Sequence, residues 1–505
     1  MPETILVNVS PLETRVALLE SGLVQEVYFE HEGGHGIVGN IYLGKITRIL
    51  PGIQAAFVDI GLDRNGILAL PPATVPDADG SNTPSTKPAL FQGQKILVQV
   101  THEPREDKGP RLGRQLTLSS RYLVLTPGAD YVGVSQQIRS RAERERLQQL
   151  LAQADKPGCG VIVRTAAEGV DEQAIAADLQ YLQSQWQNLQ VRAKGQQKPV
   201  LLYTEPPLFY RLLRDRASSA LERVVIDDAD GFNAAQAFCQ RFLPAVCSQL
   251  ELHKETTPLF EAHGVDAAIE QALGPRVELG SGAYLVIEQT EAMTTIDINS
   301  GSFVGGKSQE DTALQTNLEA VPVLARQLRL RNLGGIIVVD FIDLQQLEHR
   351  RQLELALAQA LHADPAVRKI ASLSALGLVE IGRKRIGQNL QQALCEKCPS
   401  CDGRGVLKSA QTVCYEILRA LSGRALSGRA LSGRALSGRA LSGRASGGDA
   451  RDLLVLAAPA VVDRLRDDAA VHIAQLQSRL GGSITVQVDG SRSPEDFDII
   501  RVQAS

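Results

Sequence analysis

Aromatic residues are scarce in this chain of 505 residues: one tryptophan, nine tyrosines and eleven phenylalanines make up 4% of it. Its core must therefore be built from Leu, Val, Ile and Ala. No apolar run approaches the roughly 18 residues of a membrane-spanning helix. The opening Met1-Pro2-Glu3-Thr4 lacks the basic stretch that begins a signal peptide. The expectation is a cytoplasmic protein with no membrane span. The seven cysteines are odd in number and four of them come late (Cys395, Cys398, Cys401 and Cys414), which argues against a disulfide framework. A strong excess of charge is missing too, because the net charge of −4 gives no global attraction to nucleic acid. Within the basic residues, however, arginine outnumbers lysine about threefold, and a planar guanidinium fork suits phosphates and stacked bases. The length allows several domains.

The most informative stretch runs from Ala283 to Leu344. It opens as two short strands joined at Thr290 to Ala292. A helix follows over about Gln309 to Leu330 and stops at Gly334-Gly335. The run Ile336-Ile-Val-Val-Asp-Phe-Ile-Asp-Leu is apolar, rich in β-branched residues and too short for a helix, which predicts a buried strand. Residues two apart on a strand share a face, so Asp297 and Asn299 point the same way. Asp340 ends the buried strand, where a side chain emerges from the sheet. Two carboxylates and an amide in one place suit a hard cation such as Mg2+. An Asp at a strand end also serves as a turn or helix cap. Apolar residues flank Asp297 and precede Asp340, so both are expected to lose solvent on folding. A buried carboxylate then needs a cation or several donors to stay charged.

Residues 4–30 alternate as a β-meander. From Gly39 onward, about five short strands punctuated by glycine fit a small barrel of the OB type, which grips single-stranded nucleic acid on one face. Gly44-Lys-Ile followed by Phe57-Val-Asp-Ile-Gly resembles the RNA-binding barrel first named from a small-subunit ribosomal protein. On that reading Phe57 is a base-stacking platform and Lys45, Lys108 and Arg111 contact phosphates; alternation alone would make Phe57 a core residue. Residues 74–89, rich in Pro, Ser, Asp and Thr, are expected to form a surface loop. Further on, Arg164 and Thr165 end an apolar strand, where they can clasp a phosphate or simply edge a sheet. Glu222-Arg-Val-Val-Ile-Asp-Asp is a strand between helices over Leu208 to Leu221 and Gly231 to Leu243, and this short α/β piece is expected to pair with the N-terminal meander, leaving the barrel and the domain after it as an insertion. Arg383, Lys384 and Arg385 are expected beside the metal centre, where they can hold an anionic backbone, although clustered charge is more often a solvated face.

Cys398-Pro-Ser-Cys401 has the spacing of half a tetrahedral zinc site. The other half is Cys395 and Cys414, or the same pair from a second chain across a two-fold axis. Residues 421–445 repeat Leu-Ser-Gly-Arg-Ala five times. Successive leucines fall about 140° apart on a helix and form no stripe, and each unit carries a helix-weakening glycine. A flexible basic linker is expected there. Beyond Asp452 the chain is again globular, with one helix over Pro459 to Leu480.

Taken together, the chain resembles the ribonuclease E/G endoribonucleases over nearly its whole length, and the ribonuclease G branch in its small C-terminal part. The segments that carry the resemblance include Gln54-Ala-Ala-Phe-Val-Asp-Ile-Gly, Val163-Arg-Thr-Ala, Thr295-Ile-Asp-Ile-Asn-Ser-Gly, Thr316-Asn-Leu-Glu-Ala, Val339-Asp-Phe-Ile-Asp and Cys398-Pro-Ser-Cys. The resemblance implies a multidomain α+β fold. An RNase H-like piece (1–37 and 208–274) is split by an OB-type RNA-binding barrel (38–115) and a 5′-sensor (116–207). A DNase I-like catalytic domain (275–394), a zinc link (395–408) and a small α/β domain (409–505) follow.

It also implies a homodimer or homotetramer in which Cys398 and Cys401 share zinc with a partner chain. Asp297 and Asp340 would hold Mg2+, Asn299 would bond the scissile phosphate, and in-line attack of water would leave a 5′-phosphate and a 3′-hydroxyl. Arg164 and Thr165 would hold the 5′-monophosphate of the substrate, with the segment from Ser120 to Val124 as the opposing wall. Ser120 departs from a glycine often found there, and Ile67 from a barrel aromatic, so a narrower pocket and weaker stacking are expected. The implied activity is Mg2+-dependent cleavage of single-stranded RNA in rRNA and tRNA processing and mRNA decay, favouring 5′-monophosphorylated substrates. A non-catalytic RNA-binding scaffold is the rival reading, and the intact Asp297, Asn299 and Asp340 set speaks against it.

Overall fold

The structure, a computed structural model, describes all residues except 1, 32–35, 71–73, 77–81, 85–89, 105–107, 217–219, 304–307, 428–451 and 503–505. The chain divides into two compact units, Met1–Leu394 and Cys395–Ser505.

Alternation in the first thirty residues produces three antiparallel strands, Glu3–Val9, Glu13–Glu20 and Leu23–His31. One face of them, with Ile5, Val7, Val16 and Leu18, packs on the helices Leu208–Arg216 and Ala229–Phe242. The other face, with Leu6, Ala17 and Leu19, packs on Phe260, Ile269 and Leu330. Glu3–Val9 also runs parallel to Leu221–Ile226, which in turn pairs with Leu250–Leu252. The chain therefore leaves this sheet after Leu23–His31 and rejoins it at Leu221.

Five strands of the intervening chain, Ile41–Leu50, Ala55–Asp59, Gly66–Ala69, Arg111–Gly113 and Lys95–His102, close into a barrel, because the first of them also pairs with the last. Ile46, Val58, Leu68, Val98 and Leu112 fill its interior. Gly44 is required by this packing, since a Cβ there would lie 2.5 Å from Val58 Cγ1. The stretch expected as a loop contains two three-residue strands, Thr74–Pro76 and Asn82–Pro84, which pair with each other. The rest of that stretch up to residue 89 lies outside the described residues. A four-stranded sheet follows, in the order Leu118–Ser119, Leu123–Pro127, Cys159–Val163, Val132–Val134. It is backed by the helices Arg141–Gln153 and Glu172–Ala193 through Leu147, Leu151, Ile175 and Leu179.

The last sheet of this unit has six strands, in the order Arg276–Glu278, Tyr284–Gln289, Met293–Asn299, Gly335–Asp340, Leu378–Arg383, Val367–Ile370. The helices Gln309–Leu330 and Leu347–Leu361 cover one face through Leu324, Leu328, Leu353 and Leu357, against Leu285, Ile296, Ile337 and Val379. Residues of the opposite face are exposed or half-buried. Among the described residues no helix is long and apolar enough to cross a membrane.

In the second unit the strand Asp452–Ala457 lies between Ile484–Val488, parallel to it, and Phe497–Val502, antiparallel. Two sequence expectations fail here. The single helix over residues 459–480 is two, Pro459–Asp467 and Ala470–Leu480. The amides of Asp468 and Ala469 both bond Arg464 O, and the turn they make lets Leu465 and Ile473 both reach the core. The repeat array does not begin as a linker either, because the helix Ala410–Ser427 runs through its first unit. Leu421 is the third member of an i, i+4, i+8 series with Val413 and Ile417, and that series is buried in the core. Residues 428–451, the rest of the array, lie outside the described residues.

Candidate active site

Met293–Asn299 and Gly335–Asp340 are parallel neighbours joined through the helix Gln309–Leu330, and their register sets Asp297 opposite Asp340. Thr294, Ile296 and Ile298 turn inward, so Asp297 and Asn299 turn outward. The carboxylates thus stand at the C-terminal ends of parallel strands, where sheets of this kind open a crevice for ligands. The expected loss of solvent does not occur: Asp297, Asn299 and Asp340 are all exposed. Their apolar sequence neighbours pack on the opposite, helix-covered face, and among the described residues nothing buries the face that bears the acids.

The charges are still strained. Partial burial, then Asp297, then Asp343 push the Asp340 carboxyl above its ordinary pKa. Among the described residues neither Asp297 nor Asp340 has an ion pair or a side-chain hydrogen bond to relieve it. Among those residues there is also no group of three or more His, Cys, Asp or Glu that would make a closed metal site. Two adjacent, uncompensated carboxylates do fit Mg2+, which takes one or two protein carboxylates and completes its octahedron with water and substrate phosphate.

The surroundings fix this face from behind. Asn299 Oδ1 accepts from the Gly301 amide at 2.9 Å, which leaves Nδ2 as the outward donor. Gly301 has φ 55° and a Cβ there would strike Gly282 O, so the turn admits only glycine. Asn317, fully buried on the crossover helix, donates from Nδ2 to Ile342 O at 2.8 Å and accepts from Ile342 N at 3.0 Å. Glu310, on the same helix, accepts from the amides of Gln345 and Gln346 at 3.1 and 2.6 Å. The loop after Asp340 is thereby stapled to the helix. Sequence reasoning missed both residues, although a lone Asn at a position in phase with Ala313, Ala320 and Leu324 was a visible irregularity. Asn317→Leu strands the two backbone groups of Ile342 and is expected to cost on the order of 2 kcal/mol. The check is a lowered urea midpoint together with slower cleavage, as the Asp340 loop loosens.

Arg383, Lys384 and Arg385 are not beside this centre. Leu378 pairs with Asp340 and Arg383 with Gly335, which puts the basic run at the other end of the strand, about 17 Å away. Arg383 is moreover buried, with Nε 2.7 Å from Asp364 Oδ2 and Nη1 2.7 Å from Leu333 O.

On the barrel, the ladder aligns Arg48, Phe57, Ile67, Arg111 and His102 in one row across five strands. Phe57 and Ile67 are half-buried while Arg48, Arg111 and His102 are exposed, so Phe57 stands outside the barrel core. Lys45 and Lys108 are exposed as well. In the four-stranded sheet, Arg164 Nη1 donates to Ser120 O and Nη2 to Asp215 Oδ1, both at 2.7 Å. Asp215 also accepts from Arg214 Nε at 2.9 Å. Burial alone would raise the Asp215 carboxyl, but Arg214 and Arg164 bring it below the usual range. The Ser120 hydroxyl is buried, 2.5 Å from Asp178 Oδ2. Val124, half-buried, pairs with Ser119. The Thr165 hydroxyl lies 2.9 Å from Ser135 Oγ and donates to Gln137 Oε1 at 3.0 Å.

Residues 117–386 match the Ribonuclease E/G family. Over 508 aligned residues the chain is 42% identical to Ribonuclease G of Escherichia coli strain K12, an alignment that takes in 99% of this chain and 100% of that protein. The chain belongs to the ribonuclease E/G family. As a member it is an endoribonuclease, and the resemblance read from its motifs holds. Ribonuclease G of Haemophilus influenzae is 40% identical over 98% of this chain and 99% of its own length. Ribonuclease E of a Nostoc species is 42% identical over 74% of this chain, but that match spans only 55% of the relative. The family match takes in Arg164, Thr165, Asp297, Asn299 and Asp340, while the barrel residues and the four late cysteines, Cys395 to Cys414, fall outside it.

The second unit of this family member opens on its cysteines. Cys398 is exposed and Cys401 is buried. Amide hydrogen bonds, first from Cys401 and then from Ser400, pull the Cys398 thiol below its ordinary pKa, the environment of a thiolate ready for metal. Cys395 is exposed. Cys414 sits in the apolar core with Ile417 and Val461, where burial raises its thiol, so the same-chain set of four is not assembled.

Proposed function

We propose that this endoribonuclease cuts single-stranded RNA at the Asp297–Asp340 face with the help of Mg2+. We further propose that it favours 5′-monophosphorylated substrates and serves rRNA and tRNA processing and mRNA decay in the cytoplasm. The observation that carries this reading is the parallel register that sets two uncompensated carboxylates opposite each other, with Asn299 one step along the same face. Asp297 and Asp340 would hold the cation. Bound there, Mg2+ supplies Lewis acidity at the phosphate and a water of lowered pKa. Asn299 offers its free Nδ2 to a non-bridging phosphate oxygen, and the Asn317 and Glu310 staples keep Asp340 from drifting. The barrel row binds unpaired bases on Phe57, with Arg111, Lys45 and Lys108 on the phosphates.

For the 5′ end, Arg164 is already oriented by Ser120 O and Asp215, and its remaining N–H groups, joined by the Thr165 hydroxyl once it turns from Gln137 Oε1, suit a compact dianion. A charge-assisted bond is worth about 1.5–3 kcal/mol, so 5′-monophosphorylated RNA is expected to be cut about tenfold to a hundredfold faster than the same RNA with a 5′-hydroxyl. Arg164→Ala should bring that ratio close to one. Equal rates in the wild-type chain would show that it has no end-sensing.

Cys398 and Cys401 supply half a zinc site, and the inward-facing Cys414 supports completion by the same pair of a second chain in a homodimer or homotetramer. Cys398→Ala combined with Cys401→Ala should lose zinc and shift the mass seen by light scattering towards the monomer. Unchanged mass and metal content would rule the shared site out.

A further inference from the structure

The open face of the catalytic sheet carries another ordered pair of side chains. Tyr284 lies directly opposite Asn299, and Arg276 lies opposite Val286, which is itself opposite Asp297. Val277, Leu285 and Ile287 turn inward to the core, so Arg276 and Tyr284 share the outward face with Asp297 and Asn299. Arg276 stands two strand spacings, about 10 Å, from the strand of Asp297. Its guanidinium carbon is 3.7 Å from the centroid of the Tyr284 ring, a stacked arrangement. Arg276 is exposed and Tyr284 half-buried, so the phenol forms the floor and the guanidinium the surface.

Arg276 is fixed by an acid at its edge and by a ring against one face. Its Nε donates to Glu278 Oε1 at 2.6 Å, which places an anion beside the cation on the same strand. What it presents outward is a flat, polarisable plane of fixed orientation. Unpaired bases stack on guanidinium and aromatic planes of this kind, and a base held in a duplex cannot reach them. We propose that Arg276 stacked on Tyr284 is a nucleobase subsite that takes the base of a nucleotide adjoining the scissile phosphate. This rests on the reading of the Asp297–Asp340 face as the reaction centre, and it gives the preference for single strands a physical origin next to the cut.

The test uses a short single-stranded RNA with one cleavage site and a series of versions that each lack one base near the cut. KM and kcat are measured in Mg2+ for the wild-type chain, Arg276→Ala, Tyr284→Leu and Tyr284→Phe. In the wild type, loss of the base at one position adjoining the cut is expected to raise KM about tenfold. Arg276→Ala and Tyr284→Leu should show that rise on the intact RNA and no further rise on the abasic one, whereas Tyr284→Phe, which keeps the ring, keeps the wild-type pattern. The subsite is overturned if no adjoining position matters in the wild type, or if Arg276→Ala pays the same abasic penalty as the wild type. Failure of the underlying reading looks different, since Asp297→Asn would then cut intact RNA at the wild-type rate.

Discussion

Asp297→Asn is expected to slow RNA cleavage by at least about a hundredfold while leaving RNA affinity in place, and Asp340→Asn to do the same. Each change keeps the shape of the side chain and removes one of the two charges that face each other across the parallel pair. RNA affinity should persist because the contacts proposed for the barrel row and for Arg164 are untouched. Stability gives an independent check with a definite sign. The Asp340 carboxyl has a raised pKa in the folded chain, through partial burial and the charges of Asp297 and Asp343. A carboxyl raised in this way favours folding below its unfolded pKa and loses that contribution as pH rises through the folded value. At neutral pH its charge therefore works against the fold, and Asp340→Asn should melt at the same temperature as the wild type or slightly higher. A large fall in melting temperature would mark the residue as structural, and near-wild-type cleavage by either variant would move the reaction centre elsewhere.

Asp364→Ala is expected to produce the largest loss of stability, about 3–5 kcal/mol, measured as a fall in the urea midpoint. Asp364 and Arg383 are both nearly fully buried and joined at 2.7 Å. Asp364 also accepts from the Ala366 amide at 2.9 Å, and Arg383 donates to Leu333 O at 2.7 Å. Taking away the acid leaves a guanidinium out of water with only neutral partners. Replacing both members with apolar residues, as in Asp364→Leu with Arg383→Met, should recover much of the loss, because no charge then remains to be buried. If the single and the double variant are equally destabilised, packing rather than charge holds this corner of the sheet.

How much of this was legible in the sequence depended on the kind of contact. Alternation in Met293–Asn299 carried the shared face of Asp297 and Asn299, and the short apolar run before Asp340 carried the strand. Both are local patterns with a period of two. The same local reading misjudged exposure, because apolar neighbours on a strand belong to its opposite face and reveal nothing of what covers the acid. Arg383 to Arg385 were misplaced because strand pairing, and not proximity in sequence, decides which end of a strand meets Asp340. Leu421 was lost to composition: a glycine-bearing repeat weakens a helix, but three preceding turns docked through Val413 and Ile417 carry it forward. Asn317, Glu310 and Asp215 act through partners 25 to 51 residues away, a separation at which periodicity is silent.

The parallel pairing of Glu3–Val9 with Leu221–Ile226 has a consequence for how the chain is made. About two hundred residues separate the two strands, and a ribosome adding about 5–20 residues per second needs roughly 10–40 seconds to supply the second after the first has emerged. During that interval the barrel strands and the four-stranded sheet are complete in sequence and free to fold, while the first strand offers the nascent chain a bare hydrogen-bonding edge. That edge is open to mispairing and to capture by chaperones, so translation rate should bear on the yield of folded enzyme, and a synonymous slowdown placed before Leu221 should lower it.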